Sequence, residues 1–241
     1  MNLADKFALV TGGAHRVGRA IALELAAKGA NVVVHYNQSS QAADETVEQA
    51  RSMGVAAQAI QADLRSQEAM DELFADVDQI SPALDILINS AAMMERSDIL
   101  NSTPEDWDRT MELNLKAAFF CIQKAALRMR GGGAIVNISD IIGLRPWVGF
   151  PIHAISKAGL EMLTKAAALE LAPDIRVNAV APGPVLKPTN MPDERWLQIS
   201  APSPLGLPGR TEDVSRAVIH LLENDYITGE TLVVDGGFQL T

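Results

Sequence analysis

His153 and Lys157 stand four residues apart in the stretch GFPIHAISKAGL, and a helix would set them one turn apart on one face. Imidazole changes charge near neutrality, so a histidine placed there suits proton transfer. The lysine ammonium disfavours a second positive charge beside it, whereas a facing carboxylate would stabilise the imidazolium. A second string, TGGAHRVG at residues 11–18, suits another task. Glycines let a backbone approach phosphate groups, and a helix opening after them offers free N–H groups and a positive dipole end. Other candidates carry less. His15, His35 and His220 show no metal-ligand spacing, and no cluster of Cys, His or carboxylates suggests zinc, so no metal is expected. The single cysteine, Cys121, excludes an internal disulfide and reads as a small core residue in KAAFFCIQKAAL.

These residues need elements to hold them. Short apolar runs at 7–13, 31–36, 56–64, 84–89, 131–139, 175–183 and 231–237 read as strands. Between them, 19–29, 41–53, 67–78, 103–130 and 156–172 read as helices. The helix at 103 opens on TPEDW, an N-cap followed by proline and acids. Strands apolar on both faces that alternate with helices imply a parallel sheet covered on both sides, hence one doubly wound α/β domain. The stretch from Pro182 to Pro208 lacks a pattern and reads as a lid, a binding loop or a flexible linker.

The glycine string falls between the first strand and the first helix, where such folds bind a dinucleotide pyrophosphate. An acid after the second strand would bind the ribose 2′-hydroxyl of NAD and repel a 2′-phosphate. Here Asn37, Gln38, Ser39 and Ser40 follow instead, with no acid before Asp44. Arg16 brings a guanidinium suited to a phosphate, and Ser39 a further hydroxyl. The charge pattern favours NADP(H) and leaves NAD(H) open.

With these landmarks in order, the chain resembles the short-chain dehydrogenase/reductase family. TGGAHRVG is similar to its Thr-Gly-x-x-x-Gly-x-Gly signature, with Arg16 at the middle glycine. Asp63, NSAA at 89–92, Asn114 in ELNL, Lys157, Pro182–Gly183 and YITGETLVVDGG at 226–237 match further motifs. The resemblance spans essentially the whole chain and implies a single-domain Rossmann-type fold with a seven-stranded parallel sheet. It also implies that Gly12, Arg16, Val17, Gly18, Tyr36, Asn37, Ser39, Asp63, Leu64, Asn89, Ala91, Lys157, Pro182 and Gly183 hold the cofactor. Within the family, TGGAHRVG with VVVHYNQS most resembles the pteridine reductases, which also carry arginine at the middle glycine and a His-Tyr pair ending strand two. The family's serine stands thirteen residues before its tyrosine; counting back from His153, which takes the tyrosine's place, gives Asp140. Pteridine reductases place aspartate there too. The position of their pterin-stacking aromatic falls on Met94.

The family mechanism implies hydride from the nicotinamide, a proton from a tyrosine or aspartate, and a lysine on the cofactor ribose. Asp140, His153, Lys157 and Asn114 are therefore the expected catalytic set, with Asp140 and His153 sharing the proton and Asn114 positioning Lys157 through water. Histidine is shorter than tyrosine by roughly 2 Å, a gap that matters when about 1 Å of misplacement costs about a hundredfold; a water can span it. Met94, Trp147, Pro184 and the segment 184–208 are the expected substrate wall, although core packing explains Trp147 equally well. The reading is a reductase of a C=O or C=N bond in a small, pterin-like or carbonyl substrate. A catalytically silent NADP(H)-binding sensor or scaffold, and a dehydrogenase using neutral His153 as base, stay open.

Composition narrows the partners. The 241 residues carry 48% hydrophobic and 21% charged residues and a net charge of −10, which suits a large core and argues against nucleic acid or an anionic membrane. No apolar run reaches a membrane span and the start has no secretory pattern, so a cytoplasmic location is expected. Apolar helices at 103–130 and 156–172 fit the family's homodimer and homotetramer interfaces.

Overall fold

The computed structural model describes residues 1–187 and 191–241. Seven strands are β1 (Phe7–Thr11), β2 (Asn31–Tyr36), β3 (Ala57–Gln61), β4 (Ile86–Asn89), β5 (Gly133–Ile138), β6 (Ile175–Pro182) and β7 (Thr231–Val234). They form one sheet in the order β3-β2-β1-β4-β5-β6-β7, and every neighbouring pair is parallel. The expected doubly wound architecture is the one observed. Strand order reverses at β1, which lies between β2 and β4, so a crevice opens beyond the ends of these strands.

The described residues form eight α-helices: α1 (Arg16–Ala27), α2 (Ser40–Ser52), α3 (Gln67–Ile80), α4 (Pro104–Met111), α5 (Ala117–Ala126), α6 (Pro151–Leu171), α7 (Asp193–Ser200) and α8 (Thr211–Glu223). Alternation along β1 builds both cores. Ala8 and Val10 pack with Ile21 and Leu25 of α1 and Val214 and Val218 of α8. Phe7 and Leu9 face the other way, into Phe74 of α3, Cys121 of α5 and Ala167 of α6. Burial pushes the Cys121 thiol up to about 12, which suits a core residue and not a nucleophile.

Four expectations are corrected. The helix expected over 103–130 is interrupted by a π-helical turn at Glu112–Lys116, and α5 ends at Ala126. Its start is as expected, with Thr103 and Asp106 forming a capping box. The helix expected from Ser156 begins earlier, at Pro151, because proline is preorganised for a first turn; His153 is thereby helical. The segment 184–208 is not wholly irregular, since α7 lies inside it, while its residues 188–190 fall outside the described residues. Helix α8 was not expected at all, although acids in its first turn and buried Val214, Val218, Leu221 and Leu222 mark an amphipathic helix. Among the described residues, no helix is long and apolar enough to cross a membrane.

Candidate active site

The crevice is walled on one side by the glycine string. Gly12 has φ +63°, in the left-handed region, and a Cβ there would lie 2.9 Å from the Ala91 Cα. A Cβ on Gly18 would collide with the Gly12 carbonyl oxygen. Both positions therefore require glycine. Arg16 also takes a positive φ, +53°, where a side chain is strained, and its side chain is exposed at the start of α1. His15, at the N-cap of α1, makes no side-chain capping bond and the first turn holds no acid, which leaves the positive end of the helix open. Thr11 ties the string to the next strand end. Its hydroxyl accepts from the Ser90 and Ala91 amides at 3.0 and 3.1 Å.

The other expected cofactor residues lie along the same rim. Val17, Tyr36, Ser39 and Ala91 are half-buried and Asn37 is exposed, while Leu64 and Pro182 are buried. Ser39 begins α2 without spending its hydroxyl on a cap, and the first turn of α2 has no acid. Asp63 is committed to Arg65: its carboxylate accepts from the guanidinium at 2.9 and 2.6 Å, and those bonds hold it below its usual range. Asn89 is buried and donates to Asn137 at 2.9 Å, and Asn137 donates to Thr164 at 2.9 Å. Gly183 sits against Asp235, with no room for a Cβ. This glycine cradle and open helix end fit a dinucleotide pyrophosphate.

His35, weighed in the sequence only as a metal ligand, holds the glycine string. It is 2% exposed at the end of β2; its Nδ1 accepts from the Gly12 amide at 3.1 Å and its Nε2 lies 3.0 Å from the Ala62 carbonyl. Burial pushes its pKa down to about 4, so the ring is neutral. A histidine closing the β-branched run NVVVHY was the available signal.

The expected proton-handling residues meet on the other side of the crevice. His153, in the first turn of α6, is 3% exposed, and its Nδ1 lies 3.0 Å from the Met93 carbonyl. A carbonyl only accepts, so Nδ1 carries the hydrogen. Nε2 is buried without a hydrogen-bond partner, and Asp140 Oδ2 stands 3.6 Å away. Asp140 is held by the Ile142 amide, which donates to Oδ1 at 2.8 Å.

Asn114 sits in the π-helical turn, a local widening frequent at functional sites. Its amide donates to the Met93 carbonyl at 2.9 Å and the Ser156 hydroxyl at 3.1 Å, and accepts from the Met93 amide at 2.9 Å. Both of its hydrogens are thus used, and its 3.3 Å approach to His153 Nδ1 is a contact between two donors. Asn114 fixes the Met93 turn and, through it, the ring. Lys157 is buried, and its ammonium donates to the Ile138 carbonyl at 2.8 Å. Burial lowers its pKa to about 8, opposed by Asp140 and Glu161. The Ser139 hydroxyl is buried and unpartnered beside Asp140.

Of the expected substrate residues, Met94 is exposed and Pro184 and Trp147 are half-buried. Trp147 packs on Phe238, with centroids 5.5 Å apart. Arg145 donates to the Gln239 and Thr241 carbonyls and ties the C-terminal turn down over Trp147. The segment beyond Pro184 is fastened to the same turn, Ser203 donating to the Gly236 carbonyl at 2.7 Å. Sequence reading missed Arg145 and Phe238, because the last turn lies far along the chain from Trp147.

A family model described as enoyl-(acyl carrier protein) reductase matches residues 12–239. The 3-oxoacyl-[acyl-carrier-protein] reductase FabG of Staphylococcus aureus (strain Mu50) is 37% identical over 242 residues, which is 98% of each chain. Among solved structures, the FolM alternative dihydrofolate reductase 1 of Brucella canis, complexed with NADP, superposes with a TM-score of 0.94 at 30% identity, covering 100% of this chain and 96% of that one. A blue fluorescent protein from a metagenomic library, in complex with NADPH, gives 0.92 at 34% identity, with 99% of each chain covered.

Proposed function

The chain belongs to the short-chain dehydrogenase/reductase family, and from that premise we propose that this oxidoreductase uses NADPH to reduce a C=O or C=N bond in a small, flat organic substrate. Two structural relatives were solved with NADP or NADPH bound, which supports the cofactor choice. Exposed Arg16, the free Ser39 hydroxyl and the absence of an acid in the first turn of α2 support it independently. Gly12, Val17 and Gly18 cradle the pyrophosphate, and Tyr36, Asn37, Asp63 and Leu64 line the adenosine end. Asn89, Ala91, Pro182 and Gly183 border the nicotinamide end, with the Lys157 ammonium on the adjoining ribose. The bound cofactor supplies the hydride.

The observation that carries the reading is the orphaned Nε2 of His153 facing Asp140. With Nδ1 keeping its hydrogen on the Met93 carbonyl, Nε2 is the bare ring atom, the one that can take up a further proton and pass it on. The Asp140 carboxylate, 26% exposed and 3.6 Å from Nε2, offers a route by which that proton reaches the ring from solvent. The proton taken up by Nε2 would pass to the carbonyl oxygen or imine nitrogen, directly or through one water, balancing the hydride that a bound cofactor would supply. Lys157 holds the cofactor and Asn114 holds the Met93 turn.

Exposed Met94, Trp147 packed on Phe238, and Pro184 would offer the substrate an apolar wall. That wall suits a pterin-like ring or a flat carbonyl compound. Likeness to a dihydrofolate reductase supports the first and likeness to a 3-oxoacyl reductase the second. The apolar faces of α4, α5 and α6 suit a homodimer or homotetramer.

The test is NADPH consumption by the wild type on dihydropterins, quinones, diketones and keto esters. Turnover on one of these classes is the expected result. Tight NADPH binding with no turnover on any of them would overturn the reading in favour of a silent nucleotide-binding protein.

A further inference from the structure

We propose that His35 is the positioning residue of the nucleotide cradle: its neutral ring clasps the glycine string to the end of β3 and so sets the direction of the Gly12 amide. The inference rests on the dinucleotide reading of the crevice. Three segments meet at this one residue. Gly12 donates to Nδ1 at 3.1 Å, Gly13 donates to the His35 backbone carbonyl at 3.0 Å, and Nε2 reaches the Ala62 carbonyl at 3.0 Å. Ala62 precedes Asp63 and Leu64, the expected adenosine contacts, so the clasp joins the phosphate end of the site to the adenine end.

The chemistry is specific to histidine. The Ala62 carbonyl only accepts, so the ring hydrogen is on Nε2 and Nδ1 is left bare for Gly12. No other side chain of similar volume offers one donor and one acceptor at opposite ends of a rigid plane. Without an acceptor, the part-buried Gly12 amide would be left unpaired, and the loop would rotate to satisfy it. Rotation would move the left-handed φ of Gly12 and carry the rest of TGGAHRVG away from the phosphates. The Asp63 carboxylate is the charged group that faces the ring, and it is already held by Arg65. His35 is therefore used as a fixed tautomer, with no part in proton transfer.

Two substitutions separate the ends of the clasp. His35→Asn keeps an acceptor near the Nδ1 position, whereas His35→Gln keeps a donor near Nε2 and loses the acceptor. For the full chain titrated with NADPH, Gln is expected to raise Kd by about tenfold or more, the effect of leaving the part-buried Gly12 donor unpaired. Asn is expected to stay within about threefold of the wild type, since it leaves that donor paired. The loss should appear in the KM for NADPH more than in kcat, and the melting temperatures of the two variants should not account for it. Equal losses in Asn and Gln, or losses that track only melting temperature, would overturn the proposal.

Nitrogen-15 NMR of the wild type gives a readout that needs no variant. His35 should show the neutral Nε2–H tautomer at pH 7 and a coupling across the hydrogen bond from the Gly12 nitrogen to Nδ1; an Nδ1–H tautomer would overturn the proposal. A wild type that shows this clasp yet binds no NADPH would instead count against the dinucleotide reading.

Discussion

His35 and His153 are buried alike, 2% and 3% exposed, and a backbone carbonyl pins one nitrogen of each ring. They differ at the other nitrogen. In His35 it accepts from the Gly12 amide, so the ring is saturated, neutral and without a route to substrate. In His153 it is orphaned and faces a carboxylate 3.6 Å away. An unpartnered buried nitrogen is costly unless it serves a purpose, and proton transfer is the purpose an imidazole serves best. Residue type and burial therefore do not tell a structural histidine from a reactive one; the count of satisfied ring atoms does. The rim around His35 is fixed by backbone sterics, the ring of His153 by the Met93 carbonyl that Asn114 holds in place.

The largest effect expected from this contrast is at His153. His153→Phe keeps an aromatic ring and removes the proton, and should lower kcat by roughly 10²–10⁴-fold. NADPH affinity measured by fluorescence should hardly move, the reverse of the pattern expected at His35. Equal damage to binding and turnover would erase the distinction between the two histidines.

Asp140→Asn leaves the Ile142 amide an acceptor but removes the charge facing Nε2. A fall in kcat of about tenfold is expected, smaller than at His153 because a neutral amide still orients the ring. An unaffected kcat would show that the carboxylate takes no part.

A change in the cradle touches neither ring. Arg16→Gly relieves a strained left-handed residue and should stabilise the fold slightly, by about 0.5–1 kcal/mol. It should also cut the preference for NADPH over NADH by about tenfold, the guanidinium being the proposed phosphate partner. A gain in stability with no change in preference would remove Arg16 from the cofactor site.

The smallest effect concerns stability against pH. His35 titrates near 6.5 when unfolded and near 4 when folded, so between these values the unfolded chain binds more protons. Its contribution to stability is complete above about pH 6.5 and is lost as pH falls toward 4. Denaturant melts of the wild type should therefore steepen in pH dependence over that window by up to about one proton relative to His35→Gln. Identical slopes would mean that the ring is not held neutral.

The sheet was readable because parallel strands covered on both faces leave near-continuous apolar runs, as in FALVT and NVVVHY. The cradle was readable because glycine at positions 12 and 18 follows from local sterics. Helix α8 carries its regular apolar spacing directly after a proline-rich stretch, with no strand run immediately before it to mark a βα unit. The His153–Asp140 approach was foreseeable only as a pairing of types; the atom that fixes the ring is the backbone carbonyl of Met93, which no residue identity announces. His35 was seen and set aside, since its value lies in two hydrogen bonds across three strand ends and not in any spacing along the chain.

The most direct test compares wild type and His153→Tyr side by side, following NADPH consumption on whichever substrate class the wild type accepts. A working wild type that tyrosine slows is the expected result, since a phenol cannot reproduce the imidazole held between Met93 and Asp140. Activity in the tyrosine variant alone would contradict it and leave His153 as a filler in a scaffold whose chemistry has lapsed.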